Sequence, residues 1–166
     1  MELMDVILKR RSIRRYRKDP VPDSEIDHVM DAARLAPSWK NSQCWRYIVV
    51  TDPGLRKKIT VRDWAAEAPV VIVGCADPGK AEVRDGKPYY MLDMGISMEH
   101  LVLAAAERGL GTCWLGLHFD EKTVKEALGI PEYMRVVALT PLGYPDEEPA
   151  ARARKSLGEV VSRNKW

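Results

Sequence analysis

Seven of the ten residues from Lys9 to Lys18 are basic and none is acidic. Inside that run, Arg10-Arg11-Ser12-Ile13-Arg14 sets several guanidinium forks and a hydroxyl close together. Such forks grip phosphate oxygens bidentately and also donate to the polar edge of a planar ring, which the point charge of lysine does less well. On charge alone, a solvated basic surface or a weak nucleic-acid contact accounts for the run equally well. The rest of the chain favours a small ligand: of its 26 basic residues only 19 lie outside the run, against 24 acidic ones. Positive charge confined to one segment suits a single small anion better than a nucleic acid, which usually meets basic residues spread over a whole face.

Three further segments carry polar chemistry. Ala36-Pro37-Ser38-Trp39-Lys40-Asn41-Ser42-Gln43-Cys44-Trp45-Arg46-Tyr47 is dense in amides and hydroxyls between a predicted helix and a predicted strand. A loop whose ends are held rigid in this way can donate to a heteroaromatic ligand, or it can be an ordinary capped turn. Gly109-Leu110-Gly111-Thr112-Cys113-Trp114-Leu115-Gly116 is not a dinucleotide fingerprint, because Trp114 occupies the last glycine position and the glycines follow a helix. Its glycines can serve a turn and a crowded strand, or let backbone N–H groups approach a flat ligand. Arg152-Ala153-Arg154-Lys155 reads alone as a solvated tail; together with the first cluster it could close a phosphate site from the other end of the chain. His28, His100 and His118 show no metal-ligand spacing, and no nucleophile elbow, P-loop or zinc ribbon occurs. Cys113 lies in an apolar stretch where a buried inert thiol is expected.

These segments need elements to hold them. Residues 2–10 read as a short helix leading into the basic run. After the breaker Asp19-Pro20-Val21-Pro22, Asp23 or Ser24 is expected to cap a helix with Ile26, Val29, Met30 and Ala33 inward, ended by Pro37. Trp45 to Thr51 reads as a strand, Asp52-Pro53 opens a helix to about Val61, and Pro69 to Cys75 is a second strand. Asp77-Pro78-Gly79-Lys80 and Arg84-Asp85-Gly86 are turn chemistry around a stretch expected to be mobile. A long helix from Tyr89 to Arg108 follows. From Met91 to Ala106 only Asp93, Ser97, Glu99 and His100 are clearly polar, so this helix must be covered on most sides, by its own core and a second layer or a partner subunit. Gly109 ends it. Thr112 to Leu117 reads as a strand, 120–128 as a helix capped by Asp120 and closed by Gly129, and Arg135 to Leu142 as the last core strand. The order of elements predicts an α+β or α/β domain with a small sheet wrapped by helices.

At 166 residues, 46% hydrophobic and 30% charged, the chain is sized and composed for one buried core spanning 1–166, with 146–166 as a non-periodic C-terminal arm. No apolar run is long enough for a membrane span, and the N-terminal apolar residues precede the basic cluster, so no signal peptide is expected. Cys44, Cys75 and Cys113 are odd in number and 31 and 38 residues apart, which fits neither a disulfide framework nor a CxxC pair and points to the reducing cytoplasm.

In this order the segments resemble the nitroreductase family of flavin enzymes over almost the whole chain. Arg10-Arg11-Ser12-Ile13-Arg14 with Tyr16 is similar to the family's Arg-Arg-Ser-x-Arg-x-aromatic opening. Ala36-Pro37-Ser38 through Asn41, Gln43, Trp45 and Arg46 resembles its Ala-Pro-Ser-x-x-Asn-x-Gln-Pro-Trp loop, with Cys44 in place of Pro. Gly109-Leu110-Gly111-Thr112-Cys113-Trp114 resembles its Gly-Leu-Gly-Thr-x-Trp turn. The chain is short for the family, so the segment that caps the pocket in longer members is reduced. The resemblance implies a mostly antiparallel sheet flanked by helices, in an intertwined homodimer with FMN at the subunit interface. It implies that Arg10, Ser12 and Arg14, with Arg11 beside them, hold the phosphate and the polar edge of the flavin. Pro37, Ser38 and Asn41 would come from the partner subunit, Leu115 and Gly116 would present backbone to the ring, and Arg152 and Arg154 would close on the phosphate. NADH or NADPH would be the electron donor and a nitroaromatic, quinone or similar small molecule the acceptor, with no side chain assigned as general acid or base. Trp39 is a plausible neighbour of the pocket or a plain core residue. Dehalogenation, flavin breakdown or metabolite dehydrogenation on the same fold stay open as alternatives, as does a non-catalytic flavin-binding or nucleic-acid-contacting module.

Overall fold

Alternating β-branched residues with turn chemistry at their ends build the centre of the molecule, and the computed structural model describes residues 2–166. In chain order the elements are α1 (Leu3–Lys9), α2 (Asp23–Arg34), β1 (Trp45–Val50), α3 (Pro53–Ile59), α4 (Asp63–Glu67), β2 (Val70–Ala76), β3 (Val83–Arg84), β4 (Lys87–Pro88), α5 (Tyr89–Glu107), β5 (Gly111–Thr112), α6 (Glu121–Leu128), β6 (Arg135–Gly143) and α7 (Leu157–Val160). The main sheet runs β1-β2-β6-β5 with every strand pair antiparallel. Strand β2 is buried along its whole length because both of its faces are covered. Val70 and Ile72 pack with Ile26, Val29 and Ala33 of α2 and Met94, Met98 and Leu101 of α5. Val71 and Val73, pointing the other way, pack with Ile59 of α3, Ala65 of α4 and Val124 of α6. A period of two on the strand thus feeds two hydrophobic layers, each closed by helices.

An edge segment matters most for the site. After α1 the chain runs extended past β5, where Ser12 bridges Thr112 in parallel and the Ile13 N–H donates to the Thr112 carbonyl (2.8 Å). It then follows the end of β6, where Tyr16 bridges Pro145 and the Arg17 N–H donates to Tyr144 (2.9 Å). Glycine is required at position 111, because a Cβ there would lie 2.7 Å from Ile13 Cγ1 and 2.8 Å from its Cβ.

Several sequence expectations are corrected. Pro22, not Asp23 or Ser24, is the N-cap of α2, with no side-chain cap hydrogen bond. Helix α4 is an element that the sequence pattern does not predict. The stretch expected to be mobile carries the β3–β4 hairpin, turned at Asp85 and Gly86, both at positive φ (52° and 73°) as a tight hairpin turn demands. The strand expected from Thr112 to Leu117 is only two residues long, because the Cys113 N–H leaves the ladder for the Thr140 hydroxyl (3.2 Å); Leu115 alone returns to pair with Leu139. Helix α5 buries one face, from Asp93 and Met94 to Ala105, and leaves Met91, Leu92 and Ile96 exposed, as α1 leaves Leu3, Met4, Ile7 and Leu8. The cover expected for the second face of α5 is not supplied by the described residues.

Candidate functional site

Residues 10–14 lie in the edge segment, and the geometry separates their roles. Arg11 turns back: its Nη1 donates to the carbonyls of Leu8 (2.6 Å) and Arg10 (2.9 Å), closing the C-terminal end of α1, while its buried Nε has no partner among the described residues. Arg10 and Arg14 are committed to no carboxylate among the described residues; Arg14 lies 5.9 Å from the centre of the Trp64 ring. Ser12 sits between them against Thr112 and Cys113. Burial pushes the Cys113 thiol up, with Arg14, the Ser12 hydroxyl and Arg10 pulling the other way, so the thiol stays protonated and is no nucleophile. The Tyr16 hydroxyl donates to the Ile13 carbonyl (2.6 Å) and burial raises its pKa, so the aromatic residue of the motif braces the turn. Glu147 accepts from the backbone N–H groups of Arg14 and Arg15. The backbone N–H groups of Ile13, Arg14, Arg15 and Arg17 are therefore already taken. A cavity of about 190 Å³ lies alongside, lined by Lys9, Arg10, Arg11, Ile13, Leu110 and Pro149 among others.

The second segment folds on itself. Lys40, Asn41 and Gln43 all take positive φ (47°, 56° and 46°), a costly conformation for non-glycine residues. Ser38 Oγ accepts from the Gln43 N–H (3.0 Å), and the Asn41 side-chain oxygen accepts from Gln43 Nε2 (3.2 Å). Pro37 and Asn41 are exposed. Beneath the loop lies Asp93 of α5, only 2% exposed: Oδ1 accepts from the Trp39 N–H (2.9 Å), and Oδ2 from the Ser42 hydroxyl (3.3 Å) and the Cys44 thiol (3.7 Å). Burial, with the Asp93 charge adding to it, pushes the Cys44 thiol up to about 11. Trp39 faces Tyr89 at 6.3 Å between ring centres, and Lys40 Nζ sits 4.5 Å over the Trp39 ring.

The edge segment and the Gly109–Trp114 turn are brought together through the Ser12–Thr112 bridge and the Ile13–Gly111 contact. Leu115 differs from expectation: its N–H and carbonyl are both paired with Leu139 (2.8 and 3.0 Å), so its backbone is taken by the sheet rather than offered to a ring. Gly116 is open, and a Cβ there would meet only the Trp114 indole at 3.5 Å. Arg152 and Arg154 lie in the exposed tail, where Arg154 reaches no further than the carbonyls of Arg152 and Ala153 (3.4 and 3.5 Å). Within one chain they join neither Arg10 and Arg14 nor the Ser38–Asn41 loop. Sequence reasoning misses Asp93 and Glu147. Asp93 has one signal, a carboxylate in an otherwise apolar helix; Glu147 has none, because its partners lie 133 and 132 residues away.

An all-antiparallel sheet between two helical layers, with a basic edge segment and a separate amide-rich loop, defines an α+β protein. The chain belongs to the nitroreductase family, whose family model matches residues 7–62 and 60–144. It is 38% identical, across 99% of both chains, to an Archaeoglobus fulgidus protein with the provisional name NADH dehydrogenase/NAD(P)H nitroreductase. Among solved structures, a nitroreductase family protein from Clostridium novyi NT is 39% identical with a TM-score of 0.84, the match covering 92% of this chain and 89% of that one. An FMN-dependent nitroreductase from Clostridium difficile R20291 is 29% identical with a TM-score of 0.88, over 98% of this chain and 99% of that one.

Proposed function

We propose that this protein is an FMN-dependent NAD(P)H oxidoreductase that reduces a nitroaromatic, quinone or similar small acceptor. The observation that carries the reading is the edge segment, in which Arg10 and Arg14, without carboxylate partners among the described residues, flank Ser12 in the chain. That donor set fits a terminal phosphate. FMN, when bound, supplies electron transfer between a nicotinamide and the acceptor, and this chain's own residues bind and orient. Arg10, Ser12 and Arg14 hold the phosphate and polar ring edge, Gly116 gives a flat approach, and Arg152 and Arg154 close from the tail. Pro37, Ser38 and Asn41 complete the site from a second subunit, since one chain leaves them apart from the arginines. In this reading residues 1–166 work as one unit, with 146–166 as an arm lying against a partner chain.

No helix among the described residues is long and apolar enough to cross a membrane. Three buried free thiols support work in the reducing cytoplasm. The sequence carries no dinucleotide fingerprint that would seat a nicotinamide separately, so the donor and the acceptor would use one pocket in turn and turnover would be ping-pong. The cofactor released from purified protein should be identified by mass as FMN, and its absorbance should bleach anaerobically under NADH or NADPH. Initial rates at several acceptor concentrations should give parallel lines. FAD or no flavin rejects the cofactor, and intersecting lines reject the shared pocket alone.

A further inference from the structure

We propose that Asp93 is a positioning residue for the cofactor site, setting where Ser38 and Asn41 stand; the inference rests on the FMN reading above. Its carboxylate is buried on the same face of α5 as Met94, Ser97, Met98 and Leu101, with no cation paired to it among the described residues. A buried charge is costly unless its oxygens are hydrogen-bonded, and a core position would be filled more stably by an apolar side chain. All three of its donors come from one short stretch, the N–H of Trp39, the hydroxyl of Ser42 and the thiol of Cys44. They bracket the positive-φ residues Lys40, Asn41 and Gln43, a conformation that persists only when its surroundings over-determine it. Ser38 and Asn41 are in turn tied to Gln43, inside the bracket. Asp93 therefore fixes the loop at both ends, and through it the two groups offered to the cofactor.

The test is a double-mutant cycle of Asp93→Asn and Asn41→Ala, read as the FMN dissociation constant and the visible circular dichroism of bound FMN. Asparagine keeps the size of Asp93 and an acceptor for the Trp39 N–H but loses the charge. Asn41→Ala should weaken FMN binding in the parent protein. Asp93→Asn should weaken it by about ten-fold and change the flavin dichroism. Asn41→Ala should then cost no more than about two-fold further, because a mispositioned Asn41 has little left to lose. Where Asp93→Asn does not fold, Ser42→Ala removes one donor and runs the same cycle at smaller amplitude. Unchanged affinity and dichroism, or costs that simply add, overturn the positioning role even if thermal stability falls, since a purely structural role would move stability alone. Failure of the unsubstituted protein to take up FMN overturns the functional reading, and the inference with it.

Discussion

Arg14 and Arg154 stand at opposite ends of the chain, and neither guanidinium has a carboxylate partner among the described residues. Removing either should leave the fold intact, because no core packing depends on it. A charge-assisted hydrogen bond to phosphate strengthens binding roughly ten- to a hundred-fold, so Arg14→Ala and Arg154→Ala should each bind FMN more weakly and purify with less flavin per chain. Full occupancy in both variants would remove them from the site. The thiols give a second expectation. Burial pushes Cys44 and Cys75 up to about 11 and raises Cys113. Each folded thiol holds its proton where the unfolded thiol has lost it. The stability these groups contribute is complete below the unfolded value and declines as pH rises through the folded one. Between about pH 9 and 11 Tm should therefore fall, and the fall should be shallower in Cys75→Ala. A Tm independent of pH across that window would contradict the burial of these thiols.

Strand β5 and the edge segment meet where a single methylene matters. Gly111→Ala places a Cβ within 3 Å of the Ile13 side chain at its branch point, which cannot swing away as a long side chain would. The expected cost is about 1–3 kcal/mol, together with weaker FMN binding, because Ser12 shifts with Ile13. These elements are unequally legible in the sequence. Strand β1, helix α5 and the Asp52 and Asp120 caps follow local rules, and the structure has them where those rules place them. Helix α4 spans five residues, too few for periodicity to show, and the early end of β5 depends on Thr140, far along the chain. The placement of β6 between β2 and β5 is likewise a property of pairing, which hydrophobic alternation does not encode. In the site, the arginines are legible as a charge cluster. Asp93 shows only as a carboxylate in an apolar helix and Glu147 not at all, because their partners lie 49 to 54 and 132 to 133 residues away.

At the scale of the molecule the outstanding feature is apolar surface left open on α1 and α5, with Leu157, Val160 and Trp166 of the tail exposed as well. Apolar side chains left open in such number are what a subunit interface would cover. Light scattering should give a mass near twice 18.8 kDa. Ile96→Glu, which puts a charge in the middle of the open face of α5, should lower that mass towards one chain and release the flavin with it. A monomer that keeps its FMN would separate the interface from the site. The edge segment has a further consequence, in time rather than in space. Residues 14 to 17 find their backbone partners only at Tyr144, Asp146 and Glu147, and the arginine that begins this stretch is 133 residues from the carboxylate that receives it. Synthesis begins at the arginine end, and pairings of such long sequence separation form late because the intervening chain must first be ordered. A nascent chain still short of Tyr144 can pair Ile13 with Thr112 but leaves residues 14 to 17 without these partners. A chain truncated just before Tyr144 should therefore leave residues 14 to 17 open to proteolysis however well the sheet has formed.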